Sequence, residues 1–149
     1  MKKYFVLALI VGLTLMSCNK KGCIDVLASN FDKEANTDDG TCTYSQDQYI
    51  GTYSVPDACG FASYTITISE GPTKGTIIIN NFEGEDGVNI KATIDGNEFS
   101  FSDIHNGVGF VGTGYIVDTA VTIDYFACED YNYPDNCTEF SCSIKLTRQ

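Results

Sequence analysis

Val88-Asn89-Ile90-Lys91-Ala92-Thr93-Ile94-Asp95-Gly96-Asn97-Glu98-Phe99-Ser100-Phe101 is the stretch whose reading decides the fold. Val88, Ile90, Ala92 and Ile94 alternate with Asn89, Lys91, Thr93 and Asp95. In an extended chain successive side chains point to opposite faces, so a period of two gives a strand with one apolar and one polar side. Asp95-Gly96 then supplies residues that accept the left-handed backbone of a tight hairpin. The chain returns with Phe99 and Phe101 on the apolar side.

The same period runs outward in both directions. Tyr64, Ile66 and Ile68 alternate with Thr65, Thr67 and Ser69. Val121, Ile123, Tyr125 and Ala127 alternate with Thr122, Asp124 and Phe126, and Cys142, Ile144 and Leu146 with Ser143, Lys145 and Thr147. Glu70–Gly75, Glu83–Gly87 and Asn106-Gly107 carry turn chemistry. The expected strands are Tyr49–Val55, Ser63–Ser69, Thr76–Phe82, Val88–Asp95, Asn97–Asp103, Val108–Val117, Thr119–Cys128 and Phe140–Leu146. Eight strands on short connections read as all-β, an antiparallel up-and-down barrel whose closure removes exposed edges. A two-sheet sandwich is the alternative.

Closure sets the first strand beside the last. Of seven cysteines, Cys59 follows the first strand and Cys142 opens the last, so both reach one rim. Cys59–Cys142 is the expected seam lock, with Cys128–Cys137 stapling the loop Glu129–Glu139. The exchanged pairing, Cys59–Cys128 with Cys137–Cys142, stays open. The inward face includes Tyr53, Tyr64, Ile66, Phe99, Phe101, Phe110 and Tyr125, the candidate lining for a small apolar ligand. An eight-stranded barrel can equally be filled by its own side chains. Tyr131 and Tyr133 are candidate surface contacts for protein or glycan, since tyrosines on a stapled loop give contact area at small entropic cost.

The amino terminus is a different object. Lys2 and Lys3 precede an apolar run from Tyr4 to Val11 and then Leu15-Met16-Ser17-Cys18. A charged start, a short greasy middle and small residues before a cut describe a secretory signal, and the run is too short to span a bilayer, which takes about 20 apolar residues. Leu-Met-Ser-Cys resembles the lipobox of bacterial lipoproteins. That resemblance implies cleavage after residue 17, acylation of Cys18 (a palmitate-type anchor), and a lipidated tether over residues 18–21. The chain has a formal net charge of −11, or −13 without Lys2 and Lys3. Nucleic acid and anionic lipid surfaces repel such a chain, which argues against both as partners. Six cysteines beyond Cys18, in an exported chain, read as disulfides.

Residues 22–42 form a module bracketed by Cys23 and Cys42. It is too small for a core of its own, and a Cys23–Cys42 bridge is the expected staple. Gly22, Cys23, Asp25, Ala28, Asn30, Phe31, Ala35, Asp38, Asp39, Gly40, Thr41 and Cys42 resemble an acidic repeat of secreted and surface proteins of Bacteroidetes-type bacteria. Asp25, Asp38 and Asp39 are the candidate calcium ligands, since calcium takes six to eight oxygens. Asp and Asn at such positions also cap turns, and no other cofactor is expected. Residues 43–48 read as a linker.

The domain at 49–149 is similar to small lipocalin-like domains of Bacteroidetes lipoproteins. The matching features are Gly51-Thr52-Tyr53-x-Val55 before Cys59, Tyr64–Ile68, Ile79–Phe82, Gly109/Gly112/Gly114, and Cys142 six residues before Arg148. The chain departs from true lipocalins in having no tryptophan. No catalytic constellation emerges. The single histidine, His105, falls in a turn, and Glu98, Asp103, Asp118 and Asp124 fall at turns or on polar faces. The expectation is a non-enzymatic lipoprotein, anchored to the bacterial outer membrane through its lipid and binding a small apolar ligand. The alternative is a solid-cored module contacting envelope protein or glycan. By the same resemblance, the basic Lys20-Lys21 after the anchor implies the periplasmic side, surface export being marked by acidic residues there.

Overall fold

Alternation becomes eight antiparallel strands closed on themselves. A computed structural model of the chain describes residues 19–129 and 139–149, with backbone alone at Glu129 and Glu139. Two short strands, β1 (Lys21–Gly22) and β2 (Thr37–Asp38), pair in parallel in the amino-terminal module. The barrel follows as β3 (Gly51–Val55), β4 (Tyr64–Glu70), β5 (Thr76–Asn80), β6 (Asn89–Asp95), β7 (Glu98–His105), β8 (Val108–Val117), β9 (Ala120–Glu129) and β10 (Glu139–Arg148). Each strand pairs with its sequence neighbour, and β10 returns to β3. The sandwich alternative is excluded. No described residue is in an α-helix.

The register stacks inward positions into layers. Phe99, Gly114, Ile123 and Ile144 lie side by side across β7–β10, with Phe101, Gly112, Tyr125 and Cys142 in the next layer. The glycines make room for the rings. A Cβ at Gly114 would stand 2.1 Å from Phe99 Cζ, and one at Gly112 2.6 Å from Phe101 Cζ. Tyr53, Ile66, Ile68, Ile77, Ile79, Ile90, Ala92, Phe99, Val121, Ile123 and Leu146 are sealed from solvent. Each large apolar side chain so buried contributes about 1.5–3 kcal/mol.

The two ends differ. At one end, the segment expected as a linker forms a 3-10 turn, Ser45–Gln48, packed as a floor. Gln46 is buried and accepts a hydrogen bond from the Gly75 N–H at 3.0 Å. Tyr49, fully buried, donates its hydroxyl to the Asn97 carbonyl at 2.5 Å and meets Phe99 edge to face. At the other end, β5 stops at Asn80 rather than at the expected Phe82. The chain turns back into the mouth through Asn81, in the left-handed region at φ 61°, and a 3-10 turn over Phe82–Gly84. Phe82 thereby enters the barrel and packs against Phe101, Phe110 and Tyr125 at 5.8, 5.6 and 4.8 Å between ring centres.

The seam is narrow. Only Thr147 with Ser54 and Arg148 with Tyr53 pair between β10 and β3. The same register continued along both chains would set Cys59 opposite Cys142, and those two are bonded, Cα to Cα 5.8 Å. Arg148 Nη2 reaches the carbonyls of Gln48 and Ile50 at 2.8 and 2.9 Å and the Tyr53 hydroxyl at 3.0 Å. Cys128 is also in a disulfide, so the exchanged pairing of Cys128 with Cys59 is excluded; Cys137 lies outside the described residues. So do Cys18, Tyr131 and Tyr133.

Cys23–Cys42 staples the module as expected, Cα to Cα 4.8 Å. The ordered module starts before Gly22: Lys20 Nζ lies 2.8 Å from Asp32 Oδ2 and 2.9 Å from Glu34 Oε2, and Lys21 already pairs with Thr37. Tyr44 links module to barrel, donating to Asp25 Oδ2 at 2.7 Å while the Lys74 ammonium sits 3.8 Å from its ring centre.

Because Cys59 and Cys142 are 83 residues apart, their bond removes much chain entropy from the unfolded state, about 2–5 kcal/mol in effect. The Cys59→Ser/Cys142→Ser double variant is expected to lose that much unfolding free energy in urea titration. A loss under about 1 kcal/mol would show that the seam holds without the bond.

Candidate functional site

The mouth at the Phe82 end is a cleft of about 530 Å³. Its apolar wall is Phe61, Val88, Val108, Phe110, Ala127 and Phe140, and its polar side is Glu83, Glu85, His105 and Asn106. Phe110, Ala127 and Phe140 occupy one register layer across β8, β9 and β10, directly above the Tyr125 layer. Phe61 is carried over the rim by the loop after β3. An Ala58–Phe61 bridge shapes that loop, the Cys59–Cys142 bond ties it down, and Phe61 meets Phe140 edge to face at 6.0 Å.

Glu83 is the unexpected member. Its residue type and its neighbours Gly84, Glu85 and Asp86 read as an exposed turn. Instead, the re-entry that drives Phe82 inward brings Glu83 with it, half-buried. Its Oε1 accepts the Tyr125 hydroxyl at 2.8 Å. Glu83 has φ 58°, left-handed backbone that a side-chain-bearing residue adopts only where surrounding packing compels it, at a cost of about 1–3 kcal/mol. Gly84 follows at φ 75°, and a Cβ there would press on the Tyr64 ring at 3.1 Å.

The electrostatics follow from burial. Desolvation pushes the Glu83 carboxyl above its ordinary 4.5; Tyr125 donation opposes this and nearby Glu85 reinforces it. Burial pushes Tyr64 up to about 12, and raises Tyr125 further with help from the Glu83 charge. Among the described residues, two buried side-chain polar atoms have no hydrogen-bond partner, Tyr64 Oη and His105 Nε2. His105 was expected in a solvent-facing turn. It ends β7 at an inward position, 3.5 Å from Asp103 Oδ2. Asp103 is inward too. The β6–β7 ladder reaches only Thr93–Ser100, and the Asp103 carboxylate accepts the Lys91 N–H beyond it at 3.2 Å.

Of the seven residues expected to line an apolar site, Phe110 borders the cleft. Tyr125 lies beneath it under Glu83, and Tyr64 packs against Gly84. Tyr53, Ile66, Phe99 and Phe101 are packed into the solid barrel below. Tyr131 and Tyr133 fall outside the described residues. The acidic module uses its carboxylates on turns. Asp38 Oδ1 accepts the Gly40 N–H, Asp39 Oδ1 accepts Thr41 N–H and hydroxyl, and Asp25 takes the Leu27 N–H and the Tyr44 hydroxyl. Among the described residues no group of three His, Cys, Asp or Glu is placed to hold a metal ion.

A carboxylic acid whose folded-state proton affinity is raised stabilises the fold fully below its unfolded value, and that contribution fades as pH rises through the raised value. The groups facing Glu83 are Tyr125, Tyr64 and Glu85. From pH 4.5 towards 7 the protein is therefore expected to lose unfolding free energy relative to Glu83→Gln, whose amide stays neutral. Urea titrations of both at successive pH values check this, and a difference that does not change with pH contradicts it.

No family model, curated protein or solved structure matches the chain, and what the cleft does is carried by its own side chains.

Proposed function

We propose that this is a lipid-anchored, non-enzymatic protein of the bacterial envelope whose barrel mouth receives a small, mainly apolar ligand. The observation that carries this reading is the contrast between the two ends. The barrel is solid from Tyr49 up to Phe82, yet above Phe82 six apolar side chains surround open space. Ligand sites are typically concave, mostly apolar, and furnished with a few convergent polar groups, and Glu83, Glu85, His105 and Asn106 supply those. The anchor is consistent with this use. The chain enters the barrel through the floor turn Ser45–Gln48, at the end opposite the mouth. The cleft residues include no cysteine, and the described cysteines are all in disulfides, which leaves no thiol there for nucleophilic chemistry.

A second reading, contact with an envelope protein or glycan, is favoured by one observation on the outer face. Val111 and Phe126, direct partners across β8 and β9, are 43% and 54% exposed, with Ile104 beside them on β7 at 48%. Monomeric proteins seldom leave adjoining apolar side chains bare without use. A titration that finds no occupant for the cleft leaves this face as the working surface.

N-phenyl-1-naphthylamine, neutral and fluorescent in apolar surroundings, is expected to bind saturably. Ala127→Trp, which fills the cleft without touching the layers below, is expected to abolish the signal while the thermal transition persists; equal fluorescence from both contradicts the cleft as the site. In a lipoprotein-processing bacterium the protein is expected in the membrane fraction and Cys18→Ser in the soluble envelope fraction, and identical partitioning of the two contradicts the anchor.

A further inference from the structure

The polar side of the cleft has a definite sign. Glu83 and Glu85 line it, the Asp103 carboxylate stands 3.5 Å behind His105, and none of its lining residues is Lys or Arg. We propose that the ligand is an organic cation, an ammonium or amidinium head on an aromatic or alkyl body, with its head against Glu83 and its body against Phe61, Phe110 and Phe140. This rests on the reading of the mouth as a ligand site and deepens it.

Three independent features converge on that class. First, Glu83 is committed through only one oxygen. Oε1 takes the Tyr125 hydroxyl, and a carboxylate holds about four acceptor positions. The Tyr125 hydrogen bond offsets only part of its burial, and a bound cation adds opposite charge through a charge-assisted hydrogen bond. Second, His105 Nε2 at the cleft lies 3.5 Å from Asp103 Oδ2, so a third carboxylate adds its negative field to that side of the cleft. Third, three of the six apolar wall residues are Phe61, Phe110 and Phe140, which take an aromatic or alkyl body by apolar and ring–ring contact. An anionic amphiphile meets the opposite on every count. Its head would face two carboxylates with no lysine or arginine among the lining residues, and like charges so placed repel. The chain's overall charge of −11 adds attraction at long range.

The backbone supports a purpose for Glu83. A residue at φ 58° beside a buried phenol is costly to keep, and an aspartate or asparagine would tolerate the left-handed conformation better. The longer side chain is what lets the carboxylate reach Tyr125 from the turn.

Three probes with one body test the sign: 4-phenylbutylamine, 4-phenylbutanol and 4-phenylbutyrate, titrated at pH 7 into the isotope-labelled soluble chain and followed by amide chemical shifts. The amine is expected to bind about tenfold tighter than the alcohol, with the butyrate weakest, and with shifts at Glu83, His105 and Phe110. In Glu83→Gln, and to a smaller extent in the exposed Glu85→Gln, the amine-to-alcohol ratio is expected to fall towards one. Equal or tighter binding of the alcohol or the butyrate overturns the cation assignment and leaves the cleft as a ligand site. No binding by any of the three overturns both.

Discussion

The Phe82 ring, wedged among Phe101, Phe110 and Tyr125, is the contact on which the upper half of the molecule depends. An eight-stranded barrel encloses a space that its own side chains can just fill, and the inward residues of this chain fill it only as far as the Tyr125 layer. Phe82 completes the packing from above, delivered by a turn rather than by a strand. Its edge-to-face contacts add about 0.5–1.5 kcal/mol each beyond the area they bury. The same turn sets the depth of the cleft and puts a carboxyl where the strand pattern offers none.

Closure is the second constraint, and it is met with little backbone pairing. Two ladder pairs between β10 and β3 would leave a seam prone to opening. Arg148 spans it from β10 to the carbonyls of Gln48 and Ile50 and to the Tyr53 hydroxyl, a set of contacts that suits a planar, multiply donating guanidinium better than a lysine. The disulfide acts at the other end of the seam, which is also the rim of the cleft. One covalent bond therefore closes the barrel and holds Phe61 over the mouth. The floor is secured separately by Tyr49 and Gln46.

Most strands were legible because they carry a period of two, as in β4, β6, β9 and β10, and β8, whose pattern glycines interrupt, still follows the expected bounds, Val108–Val117. Cys59–Cys142 was legible because barrel topology converts a sequence of strands into neighbours at one rim. The re-entrant turn was not. Asn81 to Gly87 has the composition of a solvated loop, and whether such a loop folds outward or inward is decided by the vacancy it meets, a tertiary property. Phe82, apolar at the end of a strand pattern, was the available signal; reading it as the strand's last residue hid its direction. Gln46 and His105 escaped for a related reason. Polar residues outside a periodic stretch give no local sign of burial, and both became inward only once the barrel ends were built around them. In the acidic module, Asp25, Asp38 and Asp39, the candidate calcium ligands, hydrogen-bond backbone turns, and Asp25 also takes the Tyr44 hydroxyl.

A solid barrel with a cup at one end, its polar side acidic and its walls aromatic, thus follows from one ring and the turn that carries it. Through-space proton NMR on a sample with visible phenylalanine and tyrosine rings tests this most directly. The account predicts cross-peaks from the Phe82 ring to Phe101, Phe110 and Tyr125. A Phe82 ring with solvent-like shifts and none of those cross-peaks would contradict it.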